Sequence, residues 1–192
     1  MKFEEFRREL KNLEKFAQGW RGVIYTGEWE GRRVSVKVAK SKDVLKAINK
    51  EAQILEKLKG IPGFPQILTK GEDFFVYEFI EGKPLGKVDL TPEQEKKVLR
   101  TLLTFAYMLD NLGINRDEFA QVYKNALLDN EGKVYLLDFE RGKFSKRPSN
   151  VPQFLQLLYR KGYLNIDEAV ELGRRYMRDR EGVFTELMAK LE

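Results

Sequence analysis

The chain contains no cysteine and no histidine. The first absence excludes disulfides, iron–sulfur clusters and thiol catalysis. The second removes a Ser-His-Asp triad and the usual zinc sites, so acid–base work falls to Asp, Glu, Lys or Tyr. Long apolar runs are missing as well: no stretch approaches the roughly 20 residues of a membrane span. The start, Met1-Lys2-Phe3-Glu4-Glu5, lacks the apolar segment of a secretory leader. A cytoplasmic protein with no membrane partner is expected. There is no internal repeat and no low-complexity tract.

What is present suits a folded domain. At 192 residues and 42% apolar content, one compact domain, or two lobes, with a substantial core is expected. Charged residues make up 34% with both signs mixed, and the net charge is +5. The excess is uneven: residues 141–180 carry ten Lys and Arg against four acids. A basic C-terminal third suits an acidic, phosphorylated or RNA partner, and a solvated helical surface explains it equally well.

The most informative residue is Lys37, a lone cation in Val34-Ser35-Val36-Lys37-Val38-Ala39, shortly after Gly19-Trp20-Arg21-Gly22-Val23-Ile24-Tyr25. A two-residue turn at Glu30-Gly31 pairs Ile24 with Lys37, Thr26 with Ser35 and Gly22 with Ala39, all on one sheet face. That face suits a planar ring lying on Ile24 and Ala39 or Ser35, with a polyphosphate running to Lys37 and the backbone N–H groups near Gly19 and Gly22. Val34, Val36 and Val38 on the other face read as core. A type I′ turn wants φ > 0 at both central residues, which Glu30 tolerates poorly. A type I turn with a bulge at Gly31 is the alternative and shifts the register by one.

Strands are expected near 13–18, 22–29, 32–39, 66–70 and 74–80, and a helix over 43–58. Val44, Ile48, Leu55 and Leu58 form that helix's apolar stripe, with Glu51 in its middle. A carboxylate there costs several kcal/mol, as an order of magnitude, unless a cation meets it. Lys37 is the candidate; a slight rotation that lets Glu51 reach water is the alternative. Gly82 and Pro84 mark a connector. Beyond it, Thr91-Pro92-Glu93-Gln94 opens a long helix stopped at Gly113, Ala126–Leu128 and Val134–Leu137 form a hairpin, and helices follow near 152–161 and after Asn165.

In this order, Gly-x-x-Gly-Val-Ile-Tyr, Val-Ser-Val-Lys, a helical Glu, Phe75-Val76-Tyr77-Glu78-Phe79-Ile80-Glu81-Gly82 and Leu136-Leu137-Asp138-Phe139-Glu140 resemble a protein kinase over roughly residues 10–145. In particular it resembles small predicted archaeal serine/threonine kinases and, more loosely, Rio kinases and the PRPK-type kinase of the tRNA threonylcarbamoylation complex. The resemblance implies an α+β, two-lobed kinase-like fold: residues 1–82 as an N-lobe with a five-stranded antiparallel sheet and one helix, and 83–192 as a reduced, mainly helical C-lobe.

It also implies roles. Gly19 and Gly22 match the last two glycines of a phosphate-covering loop, with Ala17 in place of the first. Lys37, fixed by Glu51, would hold the α and β phosphates. Ser35 and Ile24 would face the adenine, Tyr77 would be the gatekeeper, and the Glu78 and Ile80 backbone the hinge. Asp138 and Asn125 match the magnesium ligands. The base falls on Glu118 or Asp117, depending on how Gly113-Ile114-Asn115-Arg116-Asp117-Glu118-Phe119 is aligned, and the loop to Asn125 must bulge. Lys124 takes the part of the lysine that neutralises the transferring phosphate. Only 54 residues follow Asp138 and no Ala-Pro-Glu motif appears, leaving little chain for a peptide-docking platform. Arg141, Lys143, Lys146 and Arg147 lie where an activation segment would run.

Three functions are thereby expected to compete. The first is ATP- and magnesium-dependent phosphoryl transfer to a protein hydroxyl or to the chain itself. The second is a nucleotide-binding pseudokinase module, and the third a kinase-like subunit of a tRNA-modifying assembly that binds RNA through Arg174, Arg175 and Arg178.

Overall fold

The computed structural model describes residues 1–192 and has an α+β architecture. Its contacts divide the chain into two compact units, Met1–Glu81 with Leu137–Gly142, and Gly82–Leu136 with Lys143–Glu192. The break between Glu81 and Gly82 lies beside the connector read from the sequence. Residues 137–142, assigned above to the second half, belong with the first. The reason is visible at Phe139, whose N–H donates to Glu51 Oε2 at 3.2 Å and whose ring meets Phe64 edge-on at 5.9 Å.

The first unit runs α1 (Phe3–Phe6), β1 (Lys11–Gln18), β2 (Gly22–Trp29), β3 (Arg32–Ala39), α2 (Leu45–Lys57), β4 (Ile67–Lys70) and β5 (Phe74–Glu78). The strands form one antiparallel sheet in the order β1-β2-β3-β5-β4. The register is the one the two-residue turn dictates: Gly22 opposite Ala39, Ile24 opposite Lys37, Thr26 opposite Ser35. Glu30 and Gly31 both take positive φ, +49° and +80°, so the turn keeps the strands in step and Glu30 bears the strain. β5 ends at Glu78, two residues short of the expected end, and the expected helix start at Asp43 is a separate 3₁₀ turn over Lys42–Val44.

Each face of the sheet has its own cover. Val34, Val36, Phe74 and Val76 are buried with Phe3 and Phe6 of α1, and Tyr25, Trp29 and Val38 pack against them. Phe3 stacks on Tyr25 with centroids 5.4 Å apart, and Phe6 meets Trp29 edge-on at 5.5 Å. Tyr25 and Trp29 are therefore half-buried against that core, whereas Trp20 is 91% exposed at the β1–β2 turn. α1 has only four residues, too few for a periodic signal, and the sequence reading missed it. α2 covers the other face with Ile48, Glu51, Ala52, Ile54 and Leu55.

In the second unit, β6 (Lys83–Pro84) pairs with the hairpin of β8 (Ala126–Leu128) and β9 (Val134–Leu136), and β7 (Ile114–Asn115) pairs with β10 (Lys143–Phe144). Around them pack α3 (Pro92–Asn111), α4 (Asn150–Arg160), α5 (Ile166–Tyr176) and α6 (Arg180–Lys190). The Thr91–Gln94 and Asn165–Glu168 capping boxes are both closed, and Gly113 at φ +72° ends α3. No helix is long and apolar enough to cross a membrane.

Candidate functional site

Lys37 lies mid-strand on the α2-facing side of the sheet and is 5% exposed. Its stem crosses β2 at Gly22, where a Cβ would stand 3.2 Å from both Cγ and Cε of Lys37 and 3.0 Å from the Val38 carbonyl. Glycine at 22 is what leaves room for the lysine. The ammonium donates to Glu51 Oε1 at 2.7 Å, so α2 is rotated to bring Glu51 to Lys37 and not to water. The second Glu51 oxygen accepts the Phe139 N–H, so both carboxylate oxygens are matched. Burial opposes the charged ammonium, but Glu51, and then Glu140 and Asp138, outweigh it and hold the Lys37 pKa above its ordinary value. Burial also pushes the Glu51 carboxyl up, with Lys37 pulling against it.

Glu140 is the residue that sequence reasoning missed. Its Oε2 accepts from Lys37 Nζ at 3.3 Å and its Oε1 from the Arg21 N–H at 3.1 Å. Its carbonyl accepts from Arg21 Nη1 at 2.7 Å. The available signal was a second acid two residues beyond Asp138. Asp138, at the end of an apolar run, is exposed, sits at φ +62° and caps the turn by accepting the Glu140 N–H at 3.1 Å.

The other positions expected to bind nucleotide fall on the same unit. Ile24 is half-buried opposite Lys37, and Ser35 pairs across the sheet with Tyr77. Glu78 pairs with Arg32 at 3.2 Å, and Ile80 follows the end of β5. At the loop, the Gly19 N–H donates within the hairpin to the Gly22 carbonyl at 2.9 Å, and the Arg21 N–H donates to Glu140.

Burial pushes the Tyr77 phenol up to about 12, while Lys37 and the Ser35 hydrogen bond pull it down. The unfolded chain releases this proton near pH 10. Folded Tyr77 holds it longer, so its contribution to stability is intact below pH 10 and lost as the pH rises from 10 to about 12. Tyr77→Phe is expected to flatten that alkaline loss, read as the urea midpoint against pH. Superimposable profiles for the two proteins would show that Tyr77 titrates normally.

The second unit holds the remaining positions. Asp117 and Glu118 are consecutive left-handed residues, φ +69° and +60°, and Gln121 breaks the 3₁₀ turn that follows. The expected bulge before Asn125 takes this form. Gln153 fixes it by donating to Asp117 Oδ1 at 3.3 Å and accepting the Phe119 N–H at 3.1 Å. Buried Arg116 donates from its backbone N–H to Asn150 Oδ1 at 2.9 Å. Lys124 is exposed and donates to Gln121 at 2.8 Å, and Asn125 is half-buried. Of the three arginines expected to bind RNA, Arg175 is tied to Glu171 and Glu186.

No protein-family model matches the chain, and a search of curated proteins finds no relative.

Proposed function

We propose that the protein is an ATP- and magnesium-dependent phosphotransferase, an atypical serine/threonine protein kinase or autokinase of the two-lobed kinase-like class. The observation that carries this reading is the enclosed Lys37–Glu51 pair. A sheet that needed only packing would be served as well by an aliphatic pair, because desolvating two ions costs several kcal/mol. An ammonium held protonated and aimed by a helical carboxylate, beside a glycine that admits its stem, is instead suited to gripping phosphate oxygens.

On this reading Lys37 holds the α and β phosphates and the ring lies over Ile24 and Ser35, with Tyr77 behind it and the Glu78 and Ile80 backbone at its edge. Glu118 or Asp117 takes the proton from the acceptor hydroxyl as its oxygen bonds to the γ-phosphorus. The β–γ bridging bond breaks and ADP leaves. Asp138 and Asn125 would hold the magnesium through oxygen donors of the kind it prefers.

Asp138→Asn tests this, because asparagine tolerates the left-handed backbone and can still cap Glu140 while losing the charge. Incorporation of labelled γ-phosphate by the purified protein is expected to fall by about 100-fold or more. Unchanged incorporation would remove the metal role. A nucleotide-binding module without transfer is the second reading, favoured by the engagement of the Asp117 carboxylate with Gln153. Thermal stabilisation of the wild type by ATP and magnesium, with no phosphate transferred or released, would select it.

A further inference from the structure

We infer that Glu140 is an internal stand-in for a nucleotide phosphate, a latch that must release before polyphosphate can bind. The inference rests on the reading of Lys37 as a phosphate-gripping group. Glu140 places two carboxylate oxygens on two donors, the Lys37 ammonium and the Arg21 backbone N–H, as a phosphate with two oxygens would. Its tip reaches the glycine loop: a Cβ built on Gly19 would lie 3.8 Å from Glu140 Oε2. The Arg21 guanidinium fastens the Glu140 carbonyl at 2.7 Å, so residue 140 closes the β1–β2 turn through two hydrogen bonds to Arg21 and reaches β3 through a third, from Lys37.

Charge explains why the arrangement persists and why it is exclusive. With Glu51 already bonded to Lys37, Glu140 adds a second carboxylate to the same ammonium. A polyphosphate brought to Lys37 with Glu140 in place would confront that carboxylate at hydrogen-bonding distance, and two anions so close on one cation repel strongly. One must leave. The hinge for this is Asp138, whose left-handed backbone and Asx-type bond to the Glu140 N–H set the direction of the next residues.

If the latched form predominates, nucleotide affinity is reduced by the fraction of molecules with the latch open. Glu140→Gln and Glu140→Ala are therefore expected to tighten ATP–magnesium binding by about 10-fold, measured by calorimetry, and to leave adenosine, which has no phosphate, unchanged. In the free protein the same variants are expected to accelerate hydrogen exchange at the Arg21 amide. Equal ATP affinity in wild type and both variants would overturn the latch and leave the nucleotide site standing. Failure of all three proteins to bind ATP, ADP or adenosine would overturn the phosphate reading of Lys37, and the latch with it.

Discussion

Glu51→Ala is expected to destabilise the protein by about 3–5 kcal/mol, because it breaks a buried ion pair by removing one partner. Lys37 would remain enclosed with Glu140 at 3.3 Å as its remaining partner, and the Phe139 N–H would lose its acceptor. For a chain of this length the loss corresponds to a fall in Tm of about 10 °C. Removing both charges should be far milder. Lys37→Met with Glu51→Leu replaces the pair by apolar side chains of similar bulk and is expected to recover most of the loss, since such exchanges are often neutral. Scanning calorimetry of Glu51→Ala, of Lys37→Met and Glu51→Leu singly, and of their double variant would read out the coupling. A single-variant fall of less than about 2 °C would show that the pair does not hold α2 to the sheet.

The contrast between this pair and the residues that escaped notice shows what a sequence makes legible. Glu51 stands inside an apolar stripe and Lys37 alternates with valines, so each breaks a short periodic pattern and each needs the other. The β2–β3 register was readable for the same reason: eight consecutive pairs follow from one turn. The capping box at Thr91 and the stop at Gly113 are likewise local, each encoded within four residues. α1 is different. Phe3 and Phe6 are two of the six buried residues of the core under the sheet, yet two aromatics three residues apart near a chain start carry no pattern that distinguishes a buried turn from a loose one. Glu140 is harder still, because its partners lie 103 and 119 residues earlier and an acid at a turn is an ordinary sight. The carboxylates of Asp117, Glu118 and Asp138 stood out in the sequence as candidates, but their left-handed backbones did not, since nothing local demands φ > 0 of a non-glycine residue.

Asp110 belongs to the same illegible class, and its replacement carries the other large expected effect. It sits seven residues after Leu103, beside the apolar stripe of α3, and is 1% exposed. Oδ1 accepts from the Asn150 N–H at 2.9 Å and its Nδ2 at 2.8 Å. Oδ2 accepts from the Val151 N–H at 3.1 Å and the Tyr176 hydroxyl at 2.6 Å. Burial pushes the carboxyl up while these four bonds pull it back. Asp110→Asn keeps the shape but must turn an NH₂ group toward donors. On the Oδ2 side it meets the fixed Val151 N–H; on the Oδ1 side it meets the Asn150 N–H. Asn150 cannot flip to relieve the conflict, because its own oxygen accepts from Arg116 N–H and its amide donates to the Ile114 carbonyl. At about 1–3 kcal/mol per orphaned group, the variant should lose roughly 3–5 kcal/mol, against about 1 for Tyr176→Phe, which removes one donor and strands none. Guanidinium unfolding of both variants measures the difference. Equal midpoints for Asp110→Asn and wild type would mean that Asp110 is protonated and donating, the opposite of the four-donor shell that ties α3 to α4 and α5.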